Sequence, residues 1–184
     1  MKKVFISVIG RDRPGILAAI SGTLLDLNCN IENISQTILQ SVFGALLIIS
    51  VPETLHVPAL KSKLMEKLSD LDLDVFVKHY DHAIDETQKQ TVHPFVITIV
   101  GPDNRGLVEG ITRVLARHEI NVVNLKAVFK GGTEPHNNVM IFEVEIPDSA
   151  VLPEVRNELK QAAGRLNLDI NIQHQKIFES MNRI

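Results

Sequence analysis

The sequence holds one cysteine, Cys29, among its 184 residues. An internal disulfide is therefore impossible, and a metal cage built from several thiolates is excluded with it. The thiol reads as a small buried hydrophobe. Positive charge is also short: 19 lysines and arginines face 22 acidic residues, for a net charge of −3. No lysine or arginine stripe stands out, so no basic field gathers phosphates or an anionic bilayer, and direct nucleic-acid or membrane binding is not expected. Long apolar runs are missing as well. The opening MKKVFISVIG is basic and then briefly apolar, but Gly10 and Arg11 end it before it could form a membrane span or a signal core. Action in the cytoplasm is the expectation.

Catalytic signatures are equally scarce. No G-x-S-x-G, no P-loop and no G-x-G-x-x-G occurs. His79 and His82, in HYDH, have a spacing that would suit a metal, yet no third ligand accompanies them and only His79 has a counterpart, His174. They read as exposed imidazoles at a strand end and in a linker. The glycine-rich KGGTEPH joins two strand-like runs and opens no helix, so it reads as a flexible loop. No carboxylate recurs beside a histidine or a second acid. The expectation is a protein that is not an enzyme and that takes neither metal nor cofactor.

What the chain does have is a hydrophobic content of 45%, ample for packed cores, and an internal repeat. At an offset of 91, Gly10, Asp12, Gly15, Ile20, Leu24, Asn30 and Asn33 fall on Gly101, Asp103, Gly106, Ile111, Leu115, Asn121 and Asn124. Beyond KGGTEPHNN, 130 to 138, the offset becomes 95, and Pro52, Pro58, Leu64, Leu71, Leu73, Asp74 and His79 meet Pro147, Pro153, Leu159, Leu166, Leu168, Asp169 and His174. An enlarged hairpin turn explains the change. Repeats of this length are domains rather than solenoid units. The polar DHAIDETQKQTVH, 81 to 93, separates them, which gives a first domain over 1–82, a linker over 83–93 and a second domain over 94–184.

Each copy reads as βαββαβ. KVFISVIG and PFVITIVG are β-branched and aromatic runs ended by glycine. Ile16, Ile20, Leu24 and Leu27 keep helical spacing, as do Leu107, Ile111, Leu115 and His118. NIENISQTIL with FGALLIISVP, and NVVNLKAVF with NVMIFEVEIP, form hairpins whose last strands stop at proline. Leu60, Leu64, Leu68 and Leu71 mark a second helix, matched by Val155, Leu159, Ala163 and Leu166, before the closing DVFVKHY and DINIQHQ. The fold class is α+β: two ferredoxin-like units, each an antiparallel sheet with both helices on one face. RNA-recognition modules share that order but stack bases on aromatic residues of central strands. ALLIISV has no aromatic residue, and VMIFEVEI has only Phe142 beside Glu143 and Glu145, which argues against RNA.

The duplicated loop remains. Gly15 and Gly106 stand where the first helix begins, and N–H groups point outward there. Asp12 and Asp103 either cap that helix or meet a ligand. Pro14 suits a first helical turn. Asn30 and Asn121 either tolerate a left-handed turn or take part in a site. Asn33 and Asn124 lie inside a strand, where asparagine is unfavourable and a polar partner is expected.

G-x-D-R-P-G-I-x-x-x-I followed by C-N-I-E-N-I-S-Q, and G-P-D-N-R-G-L-x-x-x-I followed by I-N-V-V-N-L, resemble ACT domains, the small-molecule-sensing modules attached to many amino-acid enzymes. The resemblance covers nearly the whole chain, and tandem ACT domains without an enzyme are similar in layout to the glycine cleavage system transcriptional repressor family. It implies domains paired side by side through their second strands about a pseudo-twofold axis, with a small amino acid of the glycine or serine class bound where the first loop of one meets the second strand of the other. Carried over, the site residues are Asp12, Arg13, Pro14, Gly15 and Ile16 with Asn121, Val122 and Asn124, and Asp103, Asn104, Arg105, Gly106 and Leu107 with Asn30, Ile31 and Asn33. The second loop has Asn-Arg where the first has Arg-Pro, so the two sites need not be equally competent. The implied partner is a transcription regulator reached by protein contact. A free-standing regulatory subunit of an amino-acid or one-carbon enzyme is the alternative, and assembly into a homo-oligomer is compatible with either.

Overall fold

The computed structural model describes residues 2–80, 91–103, 105–129 and 138–181, with side chains as far as Phe178. The chain divides into two compact units, Met1–Thr87 and Gln88–Ile184. The expected linker residues 83–90 and the hairpin turn over 130–137 lie outside the described residues.

In the first unit the chain runs β1 (Lys2–Arg11), α1 (Ile16–Asp26), β2 (Asn30–Leu39), β3 (Val42–Val51), α2 (Val57–Lys67), a 3-10 turn (Ser69–Leu71) and β4 (Leu73–His79). The second runs β5 (Val92–Gly101), α3 (Leu107–Arg117), β6 (Asn121–Phe129), β7 (Asn138–Pro147), α4 (Leu152–Arg165), β8 (Asp169–His174) and α5 (Gln175–Met181). The sheets have the orders β2-β3-β1-β4 and β6-β7-β5-β8, antiparallel throughout, so the expected βαββαβ unit is present twice. β2 and β6 lie at the edges of their sheets.

Period-two alternation decides which sheet face is dry. Val4, Ile6 and Val8 of β1 and Phe43, Ala45, Leu47, Ile49 and Val51 of β3 turn inward. They meet Ile16, Ile20 and Leu24 of α1 and Leu60 and Leu64 of α2. The second core repeats the pattern with Ile97, Ile99, Phe142 and Val144 against Leu107, Ile111, Leu115, Val155 and Leu159. Pro58 and Pro153 sit at the start of α2 and α4, where a missing N–H costs nothing.

Three details differ from the sequence expectation. His118 does not continue the apolar stripe of α3; its Nε2 lies 3.3 Å from Glu158 Oε1, beside the Arg117–Glu158 ion pair at 2.8 Å. β5 begins at Val92, because Val92 and His93 extend the ladder opposite Pro147 and Ile146. The chain also does not stop at β8: α5 follows at once and turns Phe178 onto the sheet face away from the other helices, over Thr98, Val100 and Asn171. A seven-residue helix spans too few turns to display a periodic stripe, which is why α5 was not legible.

Gly10 and Gly101 close β1 and β5 for a steric reason. A Cβ on Gly10 would stand 2.7 Å from the Asp72 carbonyl oxygen and 2.6 Å from Leu73 Cδ2, and one on Gly101 would stand 2.5 Å from Leu168 Cδ2. The turn into the last strand packs directly on each glycine.

Candidate functional site

The first loop is held at both ends. Asp12 N–H donates to the Ser41 carbonyl at 2.8 Å, which ties the loop to the β2–β3 turn. Downstream, Ile16 is buried and anchors the first turn of α1 in the core. Between these points Asp12, Arg13, Pro14 and Gly15 are exposed. Gly15 takes φ 93 and ψ −7, a left-handed conformation, as the residue immediately before α1. Gly106 does the same before α3 with φ 85 and ψ 9. Glycine enters that region at no steric cost. A Cβ at either position would meet nothing within 4 Å, so open space lies in front of both turns. Asp103, Arg105 and Leu107 repeat the arrangement, with Leu107 as the buried anchor. Asn104 lies outside the described residues.

The capping role open to Asp12 and Asp103 is not taken. Neither α1 nor α3 has a side-chain cap, and the position that would supply one is the glycine. Each aspartate lies three residues upstream of that glycine, and neither carboxylate bonds to a helix-start N–H among the described residues. Among the described residues, both helix starts thus keep their donors free of side chains. Pro14 lies in the turn ahead of the helix rather than in its first turn.

Asn30 and Asn121 are not the left-handed residues either. That conformation falls to Asn28 and Glu119, both with φ 55, while Asn30 and Asn121 open β2 and β6. A bulge then governs the asparagines. The register of β2 on β3 slips between Ile31 and Asn33, and that of β6 on β7 between Val122 and Asn124. In a regular strand residues three apart face opposite sides. With Glu32 and Val123 as the extra residues, Asn30 and Asn33 both face away from the helices, as do Asn121 and Asn124, while Ile31 and Val122 pack against the cores. The odd spacing of two polar residues within a strand, present in both copies, was the signal for this bulge.

The two copies treat these asparagines differently. Asn121 Nδ2 donates to Glu145 Oε2 at 3.2 Å and Asn124 Nδ2 to Glu143 Oε1 at 3.1 Å, which supplies the polar partner expected for Asn124. In the first unit Asn30 and Asn33 lie opposite Ser50 and Ile48, and Glu32 pairs with Lys3 at 2.6 Å. Asn33 has no side-chain hydrogen bond among the described residues.

Register also fixes how far loop and asparagines lie apart within one unit. Asn30 is level with Ser50 and Lys3, whereas the loop leaves the sheet at Arg11, level with Val42 and Leu39. Eight residues of β1 separate the two rows, about 26 Å at the usual ~3.3 Å rise. In the second unit Asn121 is level with Glu145 and Pro94, seven positions before Gly101. A single unit therefore does not bring its own loop and its own asparagines together.

Among the described residues no group of three or more His, Cys, Asp or Glu could hold a metal ion, and no helix is long and apolar enough to cross a membrane. His79 is exposed at the end of β4, and His82 lies outside the described residues. Burial pushes the Cys29 thiol above its ordinary value.

The ACT domain family model matches residues 2–78 and 93–173. A UPF0237 protein of Methanopyrus kandleri is 40% identical over 82 residues, 44% of this chain and 91% of its own length. A UPF0237 protein of Methanocaldococcus jannaschii is 38% identical over 82 residues, with the same shares. Among solved structures, a protein of unknown role from Galdieria sulphuraria has a TM-score of 0.77 at 22% identity, covering 94% of this chain and 98% of its own. A candidate glycine cleavage system transcriptional repressor has a TM-score of 0.69 at 20% identity, covering 94% and 96%. At such identities the likeness is one of fold. The duplicated glycine loop, the βαββαβ order and the family match over both halves agree: the chain belongs to the ACT domain family, as two ACT domains in tandem.

Proposed function

We propose that this ACT domain regulatory protein is non-catalytic and senses a small amino acid of the glycine or serine class. In this reading the residues 1–82 and 94–184 act as paired sensor modules joined by 83–93. The ligand lies where the first loop of one module closes on the start of the second strand of another. The observation that carries the reading is the separation of loop and asparagines along each strand. A ligand touching both needs two modules running in opposite directions, and the exposed edges β2 and β6 are suited to pair in that way. The ligand carboxylate meets the uncapped N–H groups at Gly15 or Gly106, and its ammonium meets the carboxylate of Asp12 or Asp103. Arg13, Pro14 and Ile16 shape one loop, and Asn104, Arg105 and Leu107 the other. Asn121, Val122 and Asn124, or Asn30, Ile31 and Asn33, close the site.

Occupancy of the site then governs contact with a protein partner in the cytoplasm. A transcription regulator is favoured by the fold shared with the candidate repressor and by the net negative charge, which disfavours direct DNA contact. The alternative partner is an amino-acid or one-carbon enzyme for which the chain is a regulatory subunit. Isothermal titration of the purified chain with glycine and with serine tests the site. Because neither aspartate caps a helix, D12N and D103N leave the helix starts intact, so a loss of affinity reports the ligand contact alone. Heat on titration that disappears in D12N, D103N or both is expected; unchanged affinity in both would overturn the site. A pull-down with and without the amino acid tests the partner, and recovery of a biosynthetic enzyme in place of a transcription regulator favours the alternative.

A further inference from the structure

The mean charge of the chain conceals a local concentration that the sequence expectation of no arginine stripe missed. A groove of about 490 Å³ between α3 and α4 is lined by Arg105, Arg113, Arg117 and Arg165 against one acid, Glu109, with Val114, Ala162 and Leu166 on its floor. The four side chains come from separate places in the sequence: the loop before α3, two successive turns of α3 and the end of α4. The two helices pack closely along the groove, since a Cβ at Gly110 would lie 3.1 Å from Leu166 Cδ1. Arg113 is paired with Glu109 and Arg117 with Glu158. Arg105 and Arg165 have no ion-pair partner among the described residues. A net excess of guanidinium groups therefore faces solvent along α3, whose 11 residues span about 16 Å at ~1.5 Å per residue.

The internal repeat supplies a control. At the four arginine positions the first unit has Pro14, Gly22, Asp26 and Asp70. Its own groove there is lined by Asp26, Glu66, Lys63 and Lys67, a mixed set. Neither the fold nor the glycine loop needs the arginines, because the first copy builds both without them.

We infer that the α3–α4 groove of the second unit is a docking site for an acidic, partly apolar segment of a partner protein. The row is too long for one small anion, and arginine forks engage carboxylates two bonds at a time. The apolar floor gives a second contact that a bare polyanion does not use. Carboxylates of the segment meet Arg105, Arg113 and Arg165, and an apolar side chain between them covers Val114, Ala162 and Leu166. The inference rests on the reading above that the chain acts by protein contact.

The probe is a fluorescein-labelled amphipathic peptide of glutamate and leucine, followed by anisotropy on the full chain, with a DNA duplex and pyrophosphate as competitors. R113Q/R165Q removes two exposed charges and leaves Asp12, Asp103 and the core untouched. The expected result is peptide binding that falls at least tenfold in R113Q/R165Q and less than twofold in the mirror variant K63Q/K67Q, with both variants melting as the wild type does. Equal losses in the two variants, no peptide binding by the wild type, or displacement by duplex or pyrophosphate at lower concentration than by unlabelled peptide would each overturn it. If the pull-down still recovers a partner with R113Q/R165Q as well as with the wild type, the docking site fails while the protein-contact reading stands.

Discussion

Replacing Gly15 by alanine separates two reasons for a glycine in the duplicated loop, backbone conformation and space. Gly15 has φ 93, where an L-residue with a Cβ loses about 1–2 kcal/mol. The added methyl touches nothing within 4 Å, so no steric contribution adds to that cost. Asparagine enters the left-handed region more readily than alanine, so G15N should cost less than G15A. Gly10, five residues earlier, has the opposite problem: its Cβ would stand 2.7 Å from the Asp72 backbone oxygen, and overpacking of that kind costs about 1–3 kcal/mol or more. The expected order of destabilisation is therefore G10A first, then G15A, then G15N. Thermal melts followed by circular dichroism read the order directly, since each 1 kcal/mol moves the midpoint of a domain of this size by about 4–8 °C. Amino-acid titrations on the same samples show whether binding falls further than stability does. If G15N melts at or below G15A, or if G15A matches the wild type, left-handed strain is not what the glycine relieves and the conformational account is wrong.

Three further outcomes follow from burial and register. L24A removes a side chain that is 1% exposed in the first core and should destabilise that unit by about 2–5 kcal/mol in urea unfolding; a shift within experimental error would mean that this face of α1 is misassigned. N124D sets a second carboxylate against Glu143 and should lower stability by up to about 1 kcal/mol at neutral pH, whereas N33D, opposite Ile48, should not; equal effects would refute the cross-strand pair. Burial raises the Cys29 thiol, whose Sγ also donates to the Leu27 carbonyl at 3.7 Å, so iodoacetamide should modify the native chain more slowly than a free thiol at pH 8 and match it in urea. The folded thiol holds its proton more tightly than the unfolded one, so its contribution to stability is intact below the ordinary thiol range and declines as pH rises above it.

Periodic features were legible in the sequence, and local exceptions were not. Alternation in KVFISVIG and the four-residue spacing of Ile16, Ile20 and Leu24 state directly which atoms face the core, and the buried residues follow them. The loop glycines were visible through their recurrence. Their left-handed backbone was not, because a glycine before a helix is compatible with both a cap and a turn. The bulge reversed the facing of Asn33 and Asn124, an outcome that no strand period predicts. The arginine groove escaped for a different reason: Arg113 and Arg117 share a helical spacing, but Arg105 in the loop and Arg165 on α4 join them only where α3 and α4 meet.

Duplication makes those exceptions interpretable. Where both copies keep the same unusual feature, the fold or a shared task requires it. Gly10 with Gly101 and Gly15 with Gly106 belong to this class, as do the paired bulges and the left-handed Asp72 and Asn167 ahead of the last strands. Each corresponds to a close approach, a positive φ or a change of strand facing that one substitution would disturb. Where the copies diverge, the backbone tolerates either state and the difference is free to serve something else. Glu143 and Glu145 hold their asparagines in one copy where Ile48 and Ser50 stand in the other, and arginines replace proline, glycine and two aspartates along one helix pair. A tandem sensor with identical halves would offer two equal sites and no preferred side for a partner. The divergence along β6–β7 and in the α3–α4 groove gives the second unit two surfaces, one on each side of its sheet, that the first does not have.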